Sequence, residues 1–277
     1  MEILGGMMGL DIDEVIGDEF KEFVRLAYKE SHDTFGKMQM EDGIWDGVLG
    51  GVTVEDVKKA LAQFKSGKAA GPSGLTYDVL KALDDENLKP IVRLMQECMD
   101  NRGLPPEMNR SMIRPLPKTE AGLTNLALTR PVALMEVLAK LFERVLFERI
   151  VGVLVGHNML DLSQHGGLPG GGAQDAIRVL AEVMEDAQIS GQELHVLSVD
   201  LTRGFDTLEY WSQALSWRAL GMPVETTEML MRMDMQGESE VIIGGGRTTA
   251  QEAVLGSAGR FNSERGVRQG SVGGPIK

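Results

Sequence analysis

Leu194-His-Val-Leu-Ser-Val-Asp-Leu201 carries the strongest strand signal in this 277-residue chain. The run is short and apolar, and Gly191 and Gly204 bound it. Asp200 falls near its C-terminal end. Asp206 follows in a glycine-containing turn, and Thr207 to Leu220 reads as a helix that stops at Gly221 with Pro223 beyond. A carboxylate at the end of an apolar strand is costly unless it is solvated, paired or bound to a cation. Hard divalent ions take such oxygen ligands, and phosphoryl-transfer sites hold Mg²⁺ with one or two carboxylates plus substrate phosphates. Taken alone, the pattern favours a strand-end turn former or a cap on the next helix.

On the C-terminal side, a helix is expected over 224–236. A hairpin is expected from 238–243 and 247–254, around Gly244-Gly-Gly246. A glycine-rich turn follows from Arg265 to Gly274. On the N-terminal side, Asp175 to Ile189 reads as an amphipathic helix, preceded by a loop with five glycines over 166–172. Val137, Leu138, Leu141, Phe142, Val145 and Leu146 recur at helical spacing inside the 131–155 stretch. Met112 to Lys118 is strand-like but broken by Pro115 and Pro117, which confines it to an edge or an irregular extended segment. Helices are expected over 88–101, 77–83 and 53–64. The last begins with a capping-box-like Thr53-Val-Glu-Asp56. A first helix is expected over about residues 13–30. Helices with interspersed strands give an α+β or α/β chain.

Composition narrows the function classes. The chain has 43% hydrophobic and 25% charged residues, which excludes wholesale disorder. No apolar run reaches the length of a membrane helix. Cys98 is the single cysteine, so an internal disulfide framework and a multi-thiolate metal site are excluded. The first ten residues lack a basic n-region, so the reading is an intracellular protein without a secretory signal, in nucleus or cytoplasm alike. His32, His157, His165 and His195 show no metal-ligand spacing. The net charge of -13, taken as a whole, argues against a nucleic-acid partner. Its distribution is uneven, however. Residues 1–56 hold 14 acids and 4 bases, whereas residues 57–149 hold 15 bases and 11 acids. The middle is therefore mildly basic, which permits such a partner without arguing for one.

Two loops add chemistry. Gly67-Lys68 with Gly71-Pro72 makes a flexible basic loop whose amides and lysine could cradle a phosphate. It lacks the order and spacing of a P-loop, and taken alone a surface turn is the better reading. Arg265-Gly-Val-Arg268-Gln269-Gly270 offers two guanidiniums, an amide and close backbone approach, which suits a sugar-phosphate neighbour; the alternative is a glycine-rich turn with solvated arginines.

These signals occur in one fixed order, and in that order the chain resembles the reverse transcriptase domain of non-LTR (LINE-type) retrotransposons. Gly67-Lys-Ala-Ala-Gly-Pro-Ser-Gly-Leu75 is similar to the family's GKAPGPDGI. Ile113-Arg-Pro-Leu-Pro-Lys118 is similar to its IPK strand. Thr129-Arg-Pro-Val-Ala-Leu134 with Lys140-Leu-Phe-Glu-Arg-Val-Leu146 is similar to RPISL…KLFERVL. Gln164-His-Gly-Gly-Leu168 and Gln174-Asp-Ala-Ile177 resemble QFGFRPGRSTTDAI. Val199-Asp-Leu-Thr-Arg-Gly-Phe-Asp206 resembles LDLKKAFD, the palm's motif A. Gly266-Val-Arg-Gln-Gly-Ser271 resembles GVRQGC, its motif B. The resemblance spans residues 53–277.

It implies an α+β fold, the fingers plus a partial palm of a right-hand polymerase, helix-rich with a small antiparallel sheet. Residues 1–52 would form an acidic helical segment or linker. By position, Asp200 would be the first metal-binding aspartate and the Leu201 carbonyl a backbone ligand. Phe205 would be the aromatic gate against a ribose 2′-OH. Gln269 and Gly270 would pack on the incoming nucleotide, and Lys118 and Arg130 would face template or triphosphate. Asp206, Lys68 and Arg268 are further candidates. The implied chemistry is RNA-directed DNA synthesis on an RNA template with a DNA primer and dNTPs, through two Mg²⁺ ions.

The sequence also departs from the family. No F/Y-x-D-D follows motif B, and Asp84-Asp85, the sole Asp-Asp pair, precedes motif A. Ser73 stands where the glycine–lysine loop motif has Asp. Leu168 and Gly172 replace basic residues, and Gly274 stands where motif B has Ser. The expectation is a truncated domain that does not polymerise as written. The alternative is a non-catalytic RNA- or protein-binding relic of the same fold. A non-polymerase phosphoryl-transfer enzyme built on Asp200 and Asp206 is a third, weaker reading, because no base and no third carboxylate are placed beside them.

Overall fold

The computed structural model describes residues 43–120, 128–161, 163–168, 170–200, 203–242 and 260–274. The helix expected over 13–30, the 247–254 half of the expected hairpin, and Leu201 lie outside the described residues.

Three helices follow the opening stretch of the described chain. Helix α1 (Val54–Ala62) starts where its sequence says it should: Thr53 Oγ1 accepts from the Asp56 amide at 3.1 Å, and Asp56 Oδ2 accepts from the Thr53 amide at 2.9 Å. Helix α2 (Tyr77–Lys81) is a single turn or so, and α3 (Asp85–Asp100) is capped by Asp84, whose Oδ1 accepts from the Asn87 amide. The Asp84-Asp85 pair is thus a helix start. Strands β1 (Arg110–Pro117) and β2 (Thr129–Met135) pair antiparallel and lead into α4 (Val137–Gly156).

Helix α4 is the hub of the core. Leu141, Phe142, Leu146, Ile150 and Leu154 are fully buried, as are Val57 and Ala60 of α1 and Met95 of α3. Each large side chain so buried contributes about 1.5–3 kcal/mol relative to exposure. Trp45 and Val48, from the stretch before α1, pack in the same core. The Arg149 guanidinium on α4 holds that stretch down by donating to the carbonyls of Val48, Gly50 and Gly51.

Helix α5 (Ala173–Ser190) ends at Gly191 in the left-handed conformation. Then come α6 (Gly204–Thr207), α7 (Tyr210–Ala219), α8 (Val224–Met235), β3 (Glu238–Val241) and β4 (Arg260–Asn262). The sheet order is β2-β1-β3-β4. Mixed helix and a small sheet make this an α+β chain.

Three expectations are corrected. First, the sheet is mixed rather than antiparallel: β1 and β3 run parallel, Arg110 opposite Glu238 through Ile113 opposite Val241. The long helical connection between them permits a parallel partner, as a tight turn would not. Second, the proline-broken strand is not wholly an edge. It is interior over Arg110–Ile113 and pairs with β2 alone over Arg114–Pro117. Pro115 and Pro117 thus sit where β3 demands no donor. Third, residues 192–200 form no strand, and every one is exposed. An apolar run becomes a strand only against a partner. The free side of β2 is already engaged at Ala133, whose amide donates to the Gln269 carbonyl, and β3 lies along β1. The strand expected over 238–243 does form, and among the described residues it pairs antiparallel with β4.

Candidate functional site

The sequence motifs converge around the first two turns of α4. Gly71 of the glycine–lysine loop lies so close to the end of β2 that a Cβ there would run into the Met135 carbonyl. Ser73 fixes the loop beside it: its amide and hydroxyl donate to the two carboxylate oxygens of Glu136, at 2.7 and 2.6 Å. At the loop's start, the Gly67 amide donates to Asp78 Oδ2, and this bond, helped by the Ser66 hydroxyl, holds the Asp78 carboxyl below the usual range. Lys68 is exposed between these anchors.

The 265–274 turn docks on the other side of the same junction. Gly270 has φ +135°, and a Cβ on it would stand 2.5 Å from the Ala133 carbonyl oxygen, so only glycine fits. Glu143, fully buried one turn and a half into α4, accepts from the Ser271 hydroxyl at 3.0 Å and the Val272 amide at 2.8 Å through Oε2. Lys140 lies between Glu136 and Glu143 on the same helix face. Burial pushes its ammonium below the usual lysine range, against the pull of Glu143. Arg268 is a structural pin: its guanidinium donates to Asn109 Oδ1 at 2.8 Å and to the Met233 carbonyl at 3.1 Å.

The 203–208 segment meets the 265–270 turn. The Gly266 amide donates to the Leu208 carbonyl, the Val267 amide to the Phe205 carbonyl, and Gln269 Nε2 to Asp206 Oδ1 at 3.0 Å. Arg203 takes the left-handed conformation at φ +54° to turn the chain into α6. The Phe205 ring stays half exposed. Asp200 stands apart from this arrangement: it is exposed on the irregular 192–200 stretch, with no hydrogen bond or ion pair among the described residues. Phe205, Asp206, Gln269 and Gly270 are thus brought together, and Asp200 is not joined to them.

Lys118 and Arg130 lie at the far end of the β1–β2 ladder. The register puts Leu116 opposite Arg130 and Arg114 opposite Val132. Because side chains alternate along a strand, Arg114, Lys118 and Arg130 share one face. All three are exposed, and none has an ion-pair partner among the described residues. Arg114 belongs to none of the candidate positions that the sequence suggests. Its spacing of four from Lys118 within a strand was the available signal. Glu136, Lys140 and Glu143 were also missed as anchors, since helical spacing alone does not say that a loop lands on them.

The described residues contain no group of three His, Cys, Asp or Glu side chains placed to hold a metal ion. Asp200 is solitary, and Asp206 is engaged by Gln269. Among the described residues, Asp200 and Asp206 are therefore not gathered with a third carboxylate as a Mg²⁺ centre asks.

No family model matches the chain. Over 209 residues, 75% of its length, it is 25% identical to a retrovirus-related Pol polyprotein from the type-1 retrotransposable element R2 of Nasonia vitripennis, covering 18% of that protein. Over 159 residues, 57% of its length, it is 24% identical to an uncharacterised 149 kDa protein of transposon TX1 from Xenopus laevis, covering 12% of it. The chain is related to retrotransposon proteins. It spans less than a fifth of the length of these curated relatives. Among the described residues, no helix is long and apolar enough to cross a membrane.

Proposed function

We propose that the chain is a reverse-transcriptase-like fingers and partial palm module of a retrotransposon protein, and that it holds nucleic acid rather than performing nucleotidyl transfer with these residues alone. The observation that carries this reading is the exposed basic face of Arg114, Lys118 and Arg130 on the β1–β2 ladder. Three cations on one face of the β1–β2 ladder and its extension, without ion-pair partners among the described residues, suit a phosphate backbone. The R2 relative's name as a Pol polyprotein supports a nucleic-acid partner, and the order of the sequence motifs supports an RNA template with a DNA primer.

Phe205, Gln269 and Gly270 would line a nucleotide's place on this reading, with Lys68 in the neighbouring loop. Nucleotidyl transfer in the family draws on Mg²⁺ held by several carboxylates. Here Asp200 and Asp206 are not gathered. That separation favours the second reading, a non-catalytic binding relic of the same fold, over a working polymerase.

The test is binding of an RNA template annealed to a DNA primer across a salt series, with primer extension on the same samples. The proposal expects affinity to fall steeply with salt. It also expects Arg114→Ala with Arg130→Ala to flatten the slope of log K against log salt by about 2, one for each phosphate that is no longer neutralised. No binding removes the nucleic-acid reading. Extension that vanishes in Asp200→Ala overturns the claim that these residues do not carry the chemistry.

A further inference from the structure

The basic face carries more than cations. Along β1 its exposed side chains run Arg114, Leu116, Lys118, and opposite them stand Arg130 of β2 and, just before that strand, Leu128. The Lys118 amide donates to the Leu128 carbonyl at 2.9 Å, which carries the ladder past its last paired residues. Leu128 and Arg130, two apart, fall on the same face. Leu116 is 45% exposed and Leu128 39%. A phosphate backbone answers the three cations and leaves the two leucines uncovered. A polypeptide in which acids and apolar residues are interleaved answers both.

The chain itself supplies such a stretch. Residues 11–22 hold six acids, Asp11, Asp13, Glu14, Asp18, Glu19 and Glu22, against one base, Lys21, and Ile12, Val15, Ile16 and Phe20 stand among them. This stretch lies outside the described residues. It is long enough to arrive. The path from Arg130 back along β2 and α4 to Gly43, whose neighbours at 48–51 are tied to α4 by Arg149, is at most about 60 Å. An extended chain from Glu22 to Gly43 spans roughly 70 Å. We propose that residues 11–22 dock on the face formed by Arg114, Leu116, Lys118, Leu128 and Arg130, and compete there with nucleic acid. As regulation of that face the inference rests on the nucleic-acid reading above, whereas the contact itself does not. Exposed ion pairs are individually weak, so a separate acidic peptide would bind poorly. Tethering in one chain supplies an effective concentration of about a millimolar, which is enough to populate a weak contact.

The test couples carboxylates to amines in the whole chain with a zero-length carbodiimide and reads the joined residues by mass spectrometry. Lys118 is expected to be joined to an acid within 11–22, at least about fivefold less at high salt than at low salt. A mixture of ordinary and nitrogen-15-labelled chains shows whether the joined residues belong to one molecule. Lys118 not joined to 11–22, or joined to it only between molecules, overturns the proposal. The second measurement compares nucleic-acid affinity in two variants of equal charge. One is Asp13→Asn with Asp18→Asn and Glu19→Gln. The other is Glu55→Gln with Glu86→Gln and Glu97→Gln, whose acids are exposed on α1 and α3. A face covered four-fifths of the time gives the first variant about fivefold tighter binding of an RNA template annealed to a DNA primer. Equal affinities overturn the competition, since net charge alone then accounts for any gain. If Lys118 is joined to 11–22 and neither variant binds nucleic acid, the docking stands and the competition falls together with the nucleic-acid reading.

Discussion

The Gln269 side-chain amide donates to Asp206 Oδ1 at 3.0 Å, across 63 residues of sequence. This bond joins the turn at 203–206 to the glycine-rich turn at 265–270. Two backbone bonds, Gly266 to Leu208 and Val267 to Phe205, run beside it. The side-chain pair is only partly buried, so its net worth is modest. Gln269→Ala and Asp206→Ala are each expected to cost about 1 kcal/mol in urea unfolding, and the double variant less than the sum. Strict additivity would show that the two turns are held by backbone alone.

Glu143 is the more demanding anchor. It is fully buried, and one of its oxygens serves both the Ser271 hydroxyl and the Val272 amide. Glu143→Ala leaves both donors without their acceptor and opens space inside α4's packing. A loss of about 2–4 kcal/mol is expected. Glu143→Gln keeps one acceptor oxygen and should lose less. Chemical denaturation of the two variants checks the order, and equal losses would mean that volume rather than the hydrogen bonds matters at this site.

How much of this was legible in the sequence divides along local and non-local lines. The α1 capping box, the α3 and α8 helices and the glycine stop at Gly191 are set by neighbours three or four residues away, and the sequence displays them. The core stripe of α4 was equally plain, because Leu141, Phe142, Val145 and Leu146 repeat with the helix. Strand status was not. Leu194–Val199 has a better strand composition than Arg110–Pro117, yet the latter is the strand, because β2 and β3 pair with it. The candidate site followed the same rule. Gln269, Gly270, Phe205 and Asp206 lie together, but the carboxylates that fasten the loops, Glu136 and Glu143, are named by no local pattern. Asp200 stands out in the sequence for its place at a strand end, and that strand end does not form.

Alkaline pH should unfold the chain through its buried phenols. Burial pushes the Tyr77 hydroxyl up to about 12, with the Glu143 carboxylate adding to the shift, and burial likewise raises Tyr210 to about 12. In the unfolded chain these groups ionise near 10. A raised native pKa means that the stabilisation is complete below pH 10 and is lost as pH climbs to 12. Two pH units correspond to roughly 2–3 kcal/mol for each tyrosine. Lys140 acts the other way, since its lowered pKa makes the native state gain as the ammonium loses its proton. The Tyr77 hydroxyl has no hydrogen-bond partner among the described residues. Tyr77→Phe is therefore expected to be within about 1 kcal/mol of the parent at pH 7 and to move the alkaline transition upward. A pH titration of the circular dichroism signal checks this, and an unmoved transition would show that Tyr77 is not protected from solvent.

Ser73 makes a prediction that runs against its family resemblance. The glycine–lysine loop motif expects aspartate at this position. Here the carboxylate is supplied from the other side: Glu136 accepts from both the Ser73 amide and the Ser73 hydroxyl. Ser73→Asp would bring two carboxylates together at a site where Glu136 is buried, and it would remove a donor. Placing the motif's aspartate here is therefore expected to destabilise the chain by about 1–3 kcal/mol at pH 7, with less loss in acid, where repulsion between carboxylates is relieved. Ser73→Asp combined with Glu136→Gln returns a donor to face the new acid and should recover most of the loss. Thermal melts of the single and double variants at neutral and acidic pH test this. A Ser73→Asp variant as stable as the parent would mean that the loop does not rest on Glu136 at all.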